Sequence, residues 1–144
     1  PERIIRVLVA DDHPTTRAGI RAALQREPDI EVVGEADDGA EAQQLVAELR
    51  PDILLLDLVM PGPRPYEVER WVRANHPKTT TLVLTAHDRD CLLAKMLDAG
   101  ISGFLNKGDR PGRLVEAVRR VAAGEAVITI DQLQRAEAWR AEVG

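Results

Sequence analysis

The amino-acid sequence predicts an α/β fold, in which a mainly parallel five-stranded sheet is covered by helices on both faces. Two observations predict it. Short aliphatic runs alternate five times with segments of helical periodicity, and the first run is nearly continuous, as expected for a strand buried on both faces. Parallel neighbours each need a right-handed crossover connection, which places helices on the two faces.

Five segments are predicted to form strands. The second contains Glu31 and is followed by Glu35, a mixture that suits a strand at the edge of the sheet. The others are short runs of aliphatic residues. In chain order, the predicted strands are Ile4–Ala10, Ile30–Val33, Ile53–Leu56, Leu82–Leu84 and Ser102–Leu105.

Between the strands, apolar residues recur at helical spacing, and several helix ends carry recognisable signals. These signals are Asp38 with Glu41 as an N-terminal cap, Pro65 in the first turn of a helix to about Asn75, Asp88 as a cap with Gly100 as its left-handed stop, and a last helix from Pro111 to Gly124.

The composition excludes several classes of protein. The chain has 144 residues and a formal net charge of -5, which argues against a nucleic-acid surface over the whole domain, since phosphate binding needs clustered Lys and Arg. Cys91 is the only cysteine, which excludes an internal disulfide and a Cys-cluster metal site. No apolar run is long enough for a transmembrane helix. We therefore expect a single acidic domain of the cytoplasm.

Polar side chains follow four of the predicted strands, at the edge of the sheet where such folds bind ligands. Asp11 and Asp12 follow the first strand, Asp57 the third, Thr85 the fourth and Lys107 the fifth. A single Asp at such a junction is as often a helix cap as a functional residue. Three carboxylates together, however, would repel one another unless a cation shared them.

The chemistry of this set favours Mg²⁺-dependent phosphoryl transfer. Hard oxygen ligands in a partly open cluster suit Mg²⁺, and a carboxylate can attack a phosphoryl group to form an aspartyl-phosphate. Lys107 and the metal would neutralise the phosphoryl oxygens, while the Thr85 hydroxyl donates a hydrogen bond to one of them. These residues complete the chemistry without a general base.

Four motifs contain these residues: Val7–Pro14 (VLVADDHP), Asp52–Gly62 (DILLLDLVMPG), Leu84–Ala86 (LTA) and Ala99–Lys107 (AGISGFLNK). Together they resemble the receiver domain of two-component response regulators, most closely that of the NarL/FixJ (LuxR-type) subgroup. The resemblance covers residues 3 to about 124. It implies a flavodoxin-like sheet of strand order 2-1-3-4-5, with a receiver domain at residues 1–124 and a C-terminal linker helix within 125–144.

The resemblance implies a role for each matched residue. Asp57 would accept a phosphoryl group from a phosphohistidine of a sensor histidine kinase. Mg²⁺ would be bound by Asp57, by Asp12 directly, by Asp11 mainly through water, and by the backbone carbonyl of Val59. The domain would promote only its own phosphorylation and dephosphorylation, so it is not expected to be an enzyme in any further sense.

A conformational switch and an output are also implied. Thr85 would move toward the phosphoryl group and Phe104 would turn inward with it, because the added charge reorganises nearby polar groups. In this subgroup a linker leads to a helix-turn-helix DNA-binding domain, which predicts transcription regulation as the output. A homodimer through the fourth helix, fifth strand and fifth helix rests on family analogy alone.

The sequence departs from the family pattern in the loop after the phosphoacceptor. Where the family usually has Pro-Gly-Met-Asp-Gly, this chain has Pro61–Pro65 (PGPRP), and its three prolines stiffen the loop beside Asp57. Gly108 replaces the proline that often follows the family's lysine. Because a non-proline cis peptide costs about 2.5–4 kcal/mol, we expect a trans bond after Lys107.

Two variable positions of the family tune dephosphorylation, and here they hold Val59 and His87. An apolar Val59 cannot orient an attacking water, so we predict a long-lived phosphoryl state. We expect His13 to lie outside the metal shell, and Cys91, which has no basic cluster beside it, to be a packing residue. Trp139 is also expected to pack rather than to bind.

The tail beyond the receiver is predicted to contain a short extended piece at Val127–Ile130 and a helix that Asp131 caps and that runs through Val143. Residues 127–144 cannot hold a helix-turn-helix domain. We therefore weigh a chain cut to receiver plus linker against a stand-alone receiver, and favour the first, because the polar helix has nothing to attach to.

Two alternatives come from other classes of protein, and a third is a variant of the receiver itself. A haloacid-dehalogenase-like enzyme also forms an aspartyl-phosphate but needs a second Asp two residues later, where this chain has Val59. A flavodoxin-like cofactor binder needs a hydroxyl- and glycine-rich phosphate loop, and Asp11 and Asp12 would repel the phosphate instead. The proline-rich loop leaves open a third alternative, an atypical receiver that acts through protein contacts without phosphorylation.

Overall fold

The computed structural model describes residues 3–86 and 89–143. Its five parallel strands form one sheet in the order β2-β1-β3-β4-β5, which confirms the expected class and strand order. The strands are β1 (Ile5–Ala10), β2 (Ile30–Ala36), β3 (Ile53–Leu56), β4 (Thr80–Thr85) and β5 (Gly103–Asn106), and the helices are α1 (Pro14–Gln25), α2 (Gly39–Leu49), α3 (Pro65–Asn75), α4 (Asp90–Ala99), α5 (Pro111–Ala122) and α6 (Ile130–Val143).

The observed strands differ from the predicted ones at their ends. β2 continues three residues past Val33 to Ala36, and β4 begins two residues before Leu82. Both extensions pair with a neighbouring strand, Gly34 with Leu8 among them. Backbone pairing continues through glycine, threonine and glutamate, whereas hydrophobic patterning marks only the apolar part of each strand.

Two predicted helix ends are confirmed. The Asp38 carboxylate accepts a hydrogen bond of 2.7 Å from the Glu41 N–H at the start of α2, and Gly100 ends α4 with φ at 113°. α4 begins at Asp90, with Arg89 in the N-cap position and no side-chain cap bond. The expected cap Asp88 lies outside the described residues.

Each face of the sheet packs against its own set of helices. On β3, Leu54 and Leu56 contribute to the cluster under α2, α3 and α4, while Ile53 and Leu55 contribute to the cluster under α1 and α5. This alternation is the period of a strand buried on both sides. The functional edge is therefore built on the most buried strands. No helix in the described ranges has the length and apolar character to span a bilayer.

The chain after α5 returns to the edge of the sheet. Val127 forms an isolated parallel bridge with Gly103 of β5, and its carbonyl accepts a hydrogen bond of 3.1 Å from the Phe104 N–H. A Cβ atom at Gly103 would lie 2.5 Å from the Leu82 side chain and 3.1 Å from that of Val127. A larger residue at this position would have to displace the Leu82 side chain and press against Val127. The predicted extended piece is thus confirmed at Val127, although Ile130 already belongs to α6.

The cap predicted for α6 is wrong. Thr129, not Asp131, is the N-cap residue: its hydroxyl accepts a hydrogen bond of 3.1 Å from the Gln132 N–H, and the Gln132 side chain accepts one of 2.9 Å from the Thr129 N–H. This reciprocal pair is a capping box, with the residues at N-cap and N3. Asp131 lies in the first turn, where its charge complements the helix dipole.

α6 is attached to the domain, contrary to the expectation of a helix with nothing to bind. It packs along α4; Ala136 is fully buried and Trp139 packs against the same cluster. Arg135 contacts Asp90 at 2.7 Å, and Arg140 contacts Asp98 at 2.7 Å. The ion pairs are surface-exposed and individually weak, so the buried apolar contact supplies most of the attachment.

A charge at Ala136 should detach α6. We expect Ala136→Asp to cost at least about 2 kcal/mol at the α6–α4 contact, because it buries an unpaired carboxylate. In a Trp71→Phe background, undocking would shift the Trp139 fluorescence to longer wavelength. The matched control is Ala138→Asp, which places the same charge at an exposed position of the same helix. An unshifted spectrum for Ala136→Asp would contradict the docked arrangement.

Candidate functional site

The carboxyl ends of four strands form the site, and the sheet's own hydrogen bonds fix their positions. The N–H groups of Asp11 and Asp57 donate to the last residues of β2 and β1 at 2.9 and 3.0 Å. The Lys107 N–H donates to the Thr85 carbonyl at 2.8 Å. Backbone pairing therefore continues one residue past the strands, which holds Asp11, Asp57 and Lys107 at one edge of the sheet.

Lys107 joins the two buried carboxylates. Its Nζ atom lies 2.6 Å from Asp11 Oδ2 and 3.3 Å from Asp57 Oδ2. Asp11 and Asp57 are only 1% and 3% exposed, so their charges are largely removed from water. One ammonium group thus faces two carboxylates, which leaves the site with excess negative charge.

Burial raises the pKa of Asp57 above its ordinary value. The nearby Lys107 ammonium lowers this pKa and the Asp11 carboxylate raises it, but desolvation is the largest effect. A cation bound beside Asp57 would favour the charged, nucleophilic form of the side chain.

The donor set fits a divalent metal ion. Asp11, Asp12, His13 and Asp57 each place one potential ligand atom within 4.8 Å of the others. The Asp12 Oδ1 atom is shielded from solvent and lies 3.0 Å from His13 Nδ1, and a metal ion would satisfy its remaining lone pairs. Three carboxylates supply the hard oxygen ligands that Mg²⁺ prefers. His13, expected outside the metal shell, lies within the cluster.

A cleft of about 210 Å³ opens over this cluster, large enough to admit a phosphoryl group and several waters, each of which occupies about 30 Å³ in the liquid. Val59 is 46% exposed at its rim, and the Val59 N–H lies 3.4 Å from Asp57 Oδ1. The cleft is lined by His13, Thr16, Asp57, Val59, Ala86 and Lys107.

Thr85 and Phe104, the expected switch residues, are both buried. Thr85 is fully buried at the end of β4, and Phe104 on neighbouring β5 is 2% exposed. Phe104 belongs to the same core cluster as Ala136 of α6, and its carbonyl accepts a hydrogen bond of 3.1 Å from Gln132 Nε2. The aromatic ring faces inward, and its backbone is tied to the tail segment. His87 lies outside the described residues.

Arg17 is a site residue that the sequence analysis missed. Its Nη1 atom donates to the Asp11 carbonyl at 2.7 Å, and its Nε atom donates to Glu35 at 3.3 Å. Arg17 thus joins the end of β1 to the edge strand β2 and steadies the backbone that carries the acidic pair. The sequence does contain a signal for Arg17: it is a basic residue one turn into the helix that follows Asp11 and Asp12.

The proline-rich loop is held against the start of α2. The Gly39 N–H donates to the Pro61 carbonyl at 3.2 Å, and a Cβ atom at Gly39 would lie 2.9 Å from the Pro63 carbonyl. Gly62 has φ at 92°, a left-handed conformation that glycine adopts without strain. The loop is therefore anchored beside the site. As expected for Gly108, the peptide after Lys107 is trans.

Comparison with known proteins decides the family. A family model described as the response regulator receiver domain matches residues 7–119. The chain belongs to this family. Among relatives, the "Probable transcriptional regulatory protein NarL" of Mycobacterium tuberculosis is 41% identical to this receiver domain over 128 residues, which are 89% of the chain and 59% of NarL.

Solved structures agree with this assignment. The signal receiver domain of NarL from Mycobacterium tuberculosis matches with a TM-score of 0.83 and 40% identity, over 86% of this receiver domain and all of that chain. A LuxR-family response regulator from Aurantimonas sp. SI85-9A1 matches with a TM-score of 0.85 and 35% identity, over 96% and 99% of the two chains. The sequence relatives are longer: the receiver domain spans 59% of their length.

Proposed function

We propose that Asp57 of this receiver domain accepts a phosphoryl group from a sensor histidine kinase in a Mg²⁺-dependent reaction, and that phosphorylation controls a transcriptional output. The observation that supports it is the geometry of one cleft, where a buried Asp57 lies beside a Lys107 ammonium and an acidic cluster. A structural ion pair would need a single carboxylate, whereas Lys107 contacts both Asp11 and Asp57 and Asp12 belongs to the same acidic cluster.

In the proposed reaction an Asp57 carboxylate oxygen forms a bond to phosphorus as the phosphorus–nitrogen bond of the donor phosphohistidine breaks. The electron pair of that bond returns to the imidazole, which takes up a proton from solvent. Lys107 Nζ stabilises charge on the phosphoryl oxygens. The backbone bonds of β1, β3 and β5 hold these groups in place, so little reorganisation accompanies the transfer.

Asp11, Asp12, Asp57 and the backbone carbonyl of Val59 are the proposed ligands of Mg²⁺. When bound, Mg²⁺ supplies charge neutralisation between the carboxylates and the incoming phosphoryl oxygens. Asp11 also contacts Lys107, which fixes its carboxylate on the side of the cluster nearest the ammonium. Arg17 holds the Asp11 backbone during the reaction.

Thr85 and Phe104 form the proposed switch. The new phosphoryl group offers acceptor oxygens to the Thr85 hydroxyl, and a shift of Thr85 at the end of β4 reaches Phe104 through the pairing of β4 with β5. The Phe104 backbone is hydrogen-bonded to the Val127 carbonyl and to the Gln132 side chain. A shift of Phe104 would therefore reach the segment that we propose as the linker.

The output rests on the relatives. NarL is named a transcriptional regulatory protein, and by analogy we propose that the 125–144 segment connects the receiver at 1–124 to a DNA-binding domain outside this sequence. The proposed homodimer would use α4, β5 and α5. Because α6 packs along α4, this helix would either form part of the dimer interface or leave α4 when the dimer forms.

Phosphoryl labelling tests the proposal directly. Incubation of the full chain with a small acyl phosphate and Mg²⁺ should add the mass of one phosphoryl group, and chelation of the metal should prevent it. Intact-mass spectrometry provides the measurement. If the protein folds and binds Mg²⁺ but never becomes labelled, the atypical receiver that acts without phosphorylation is supported instead. The observation that favours this second candidate is the proline-rich loop Pro61–Pro65, which is anchored beside Asp57.

The lifetime of the phosphoryl group is a separate prediction. Val59 borders the cleft and has no hydrogen-bonding side chain to orient a hydrolytic water, so we expect a lifetime of many minutes or longer. Val59→Asn supplies a polar group at that position and should shorten the lifetime by about tenfold, within the range of general acid–base and positioning effects. A wild-type half-life of seconds, followed by mass spectrometry, would contradict this.

A further inference from the structure

We propose that His13 is a ligand of the metal site and that it shifts the preference of the site from Mg²⁺ toward transition-metal ions such as Co²⁺. The inference rests on the proposed metal site and adds a nitrogen donor to it. His13 lies among the carboxylates of Asp11, Asp12 and Asp57, with all four groups within 4.8 Å of one another.

The local backbone aims His13 at these carboxylates. His13 occupies the N-cap position of α1 with extended dihedral angles, φ at −98° and ψ at 107°, but its side chain makes no capping hydrogen bond to the helix. Its backbone N–H instead donates to Asp11 Oδ1 at 2.8 Å. The chain therefore turns over the Asp11 carboxylate, and the imidazole is available to the acidic cluster rather than to α1.

The distances suit neighbouring ligands of one ion. His13 Nδ1 lies 3.2 Å from Asp11 Oδ1 and 3.0 Å from Asp12 Oδ1. In an octahedral shell with bonds of about 2.1 Å, adjacent ligand atoms are about 3.0 Å apart. The contact with Asp11 is a hydrogen bond. The imidazole is 61% exposed, so its protons exchange with water, and the tautomer protonated at Nε2 presents the Nδ1 lone pair to an ion between the carboxylates.

Ligand chemistry then predicts the preference. Mg²⁺ favours oxygen ligands and retains several waters, so an imidazole in place of one water adds little to its affinity. Imidazole suits later divalent metals, whose affinities for a given site rise from Mn²⁺ through Co²⁺ to Ni²⁺. His13 should therefore raise the ratio of Co²⁺ to Mg²⁺ affinity without being required for Mg²⁺ binding.

Calorimetric titration of the full chain with Mg²⁺ and with Co²⁺ tests the proposal. Loss of an outer-shell partner alone lowers metal affinity about 10- to 100-fold, so His13→Asn should lower Co²⁺ affinity at least about tenfold while Mg²⁺ affinity stays within about twofold. His76→Asn is the matched control, because His76 lies at the far end of α3 beside Trp71.

Pulsed electron paramagnetic resonance of bound Mn²⁺ gives a second measurement that does not depend on activity. Modulation from a directly bound nitrogen should be present in the wild type and in His76→Asn, and absent in His13→Asn. An unchanged ratio of Co²⁺ to Mg²⁺ affinity, or a nitrogen signal that persists without His13, would overturn the proposal. Normal Mg²⁺-dependent labelling in that case would leave the proposed phosphoacceptor function intact, whereas a chain that binds no divalent ion would remove both.

Discussion

Asp57→Asn is expected to abolish phosphoryl labelling completely and, in metal-free buffer at neutral pH, to raise the free energy of unfolding. Labelling is lost because an amide is not a nucleophile toward phosphorus. Stability rises because the buried Asp57 carboxylate, whose pKa is raised by desolvation, carries a penalty when ionised. The neutral amide of asparagine carries no such penalty, so the free energy of unfolding should rise at neutral pH.

The pH dependence gives the sign of this effect. An acid with a raised pKa in the folded state destabilises the protein as pH rises above the unfolded-state value, and the penalty is complete once the folded group is ionised. The extra stability of Asp57→Asn over wild type should therefore be largest at neutral pH and disappear below the unfolded-state pKa of 3.8. Asp37→Asn, a neighbouring exposed position after β2, should change neither labelling nor stability. Labelling that persists in Asp57→Asn would refute the assigned phosphoacceptor.

Lys107→Met is expected to cause the largest loss of stability among the site variants. It keeps most of the aliphatic stem but removes the ammonium that faces Asp11 and Asp57 at 2.6 and 3.3 Å. Removal of one partner from a buried ion pair costs about 3–5 kcal/mol. Proton uptake by the carboxylates relieves part of this cost, so we expect about 3 kcal/mol at neutral pH and less at pH 5.

Mg²⁺ should partly rescue Lys107→Met. Without the ammonium the carboxylates attract a cation more strongly, and a ligand at 100 times its dissociation constant stabilises by about 2.7 kcal/mol. Denaturant unfolding with and without Mg²⁺ measures both effects. The control, Lys78→Met, removes an exposed ammonium at the other end of the sheet and should change stability little. Equal Mg²⁺ stabilisation of wild type and Lys107→Met would contradict a shared acidic cluster.

The sequence predicted the parts of this fold that depend on local chemistry. The aliphatic strands, the Asp38 cap and the Gly100 stop follow from residue preferences that act over a few positions, and all three are confirmed. The convergence of Asp11 and Lys107 at one edge also follows, because parallel strands end on the same side.

What the sequence could not predict depends on contacts between distant segments. Asp131 was predicted to cap α6, but Thr129 and Gln132 form the capping box instead. They do so directly after Val127, whose bridge to Gly103 fixes the chain against β5. The amphipathic pattern of α6 is weak because its contact with the domain uses one small buried residue, Ala136, and the partly buried Trp139. The orientation of His13 likewise depends on a backbone bond to Asp11 that residue types do not reveal.

The buried contact of Ala136 and Trp139 holds α6 along α4 on the domain surface, so the helix can move as a single lever. A 14-residue helix is about 21 Å long at 1.5 Å per residue, so a tilt of roughly five degrees about its N-terminal residue moves the far end by nearly 2 Å. A sub-ångström adjustment at the carboxyl end of β4 or β5 would then be magnified at the distal tip of this helix, without any segment having to unfold.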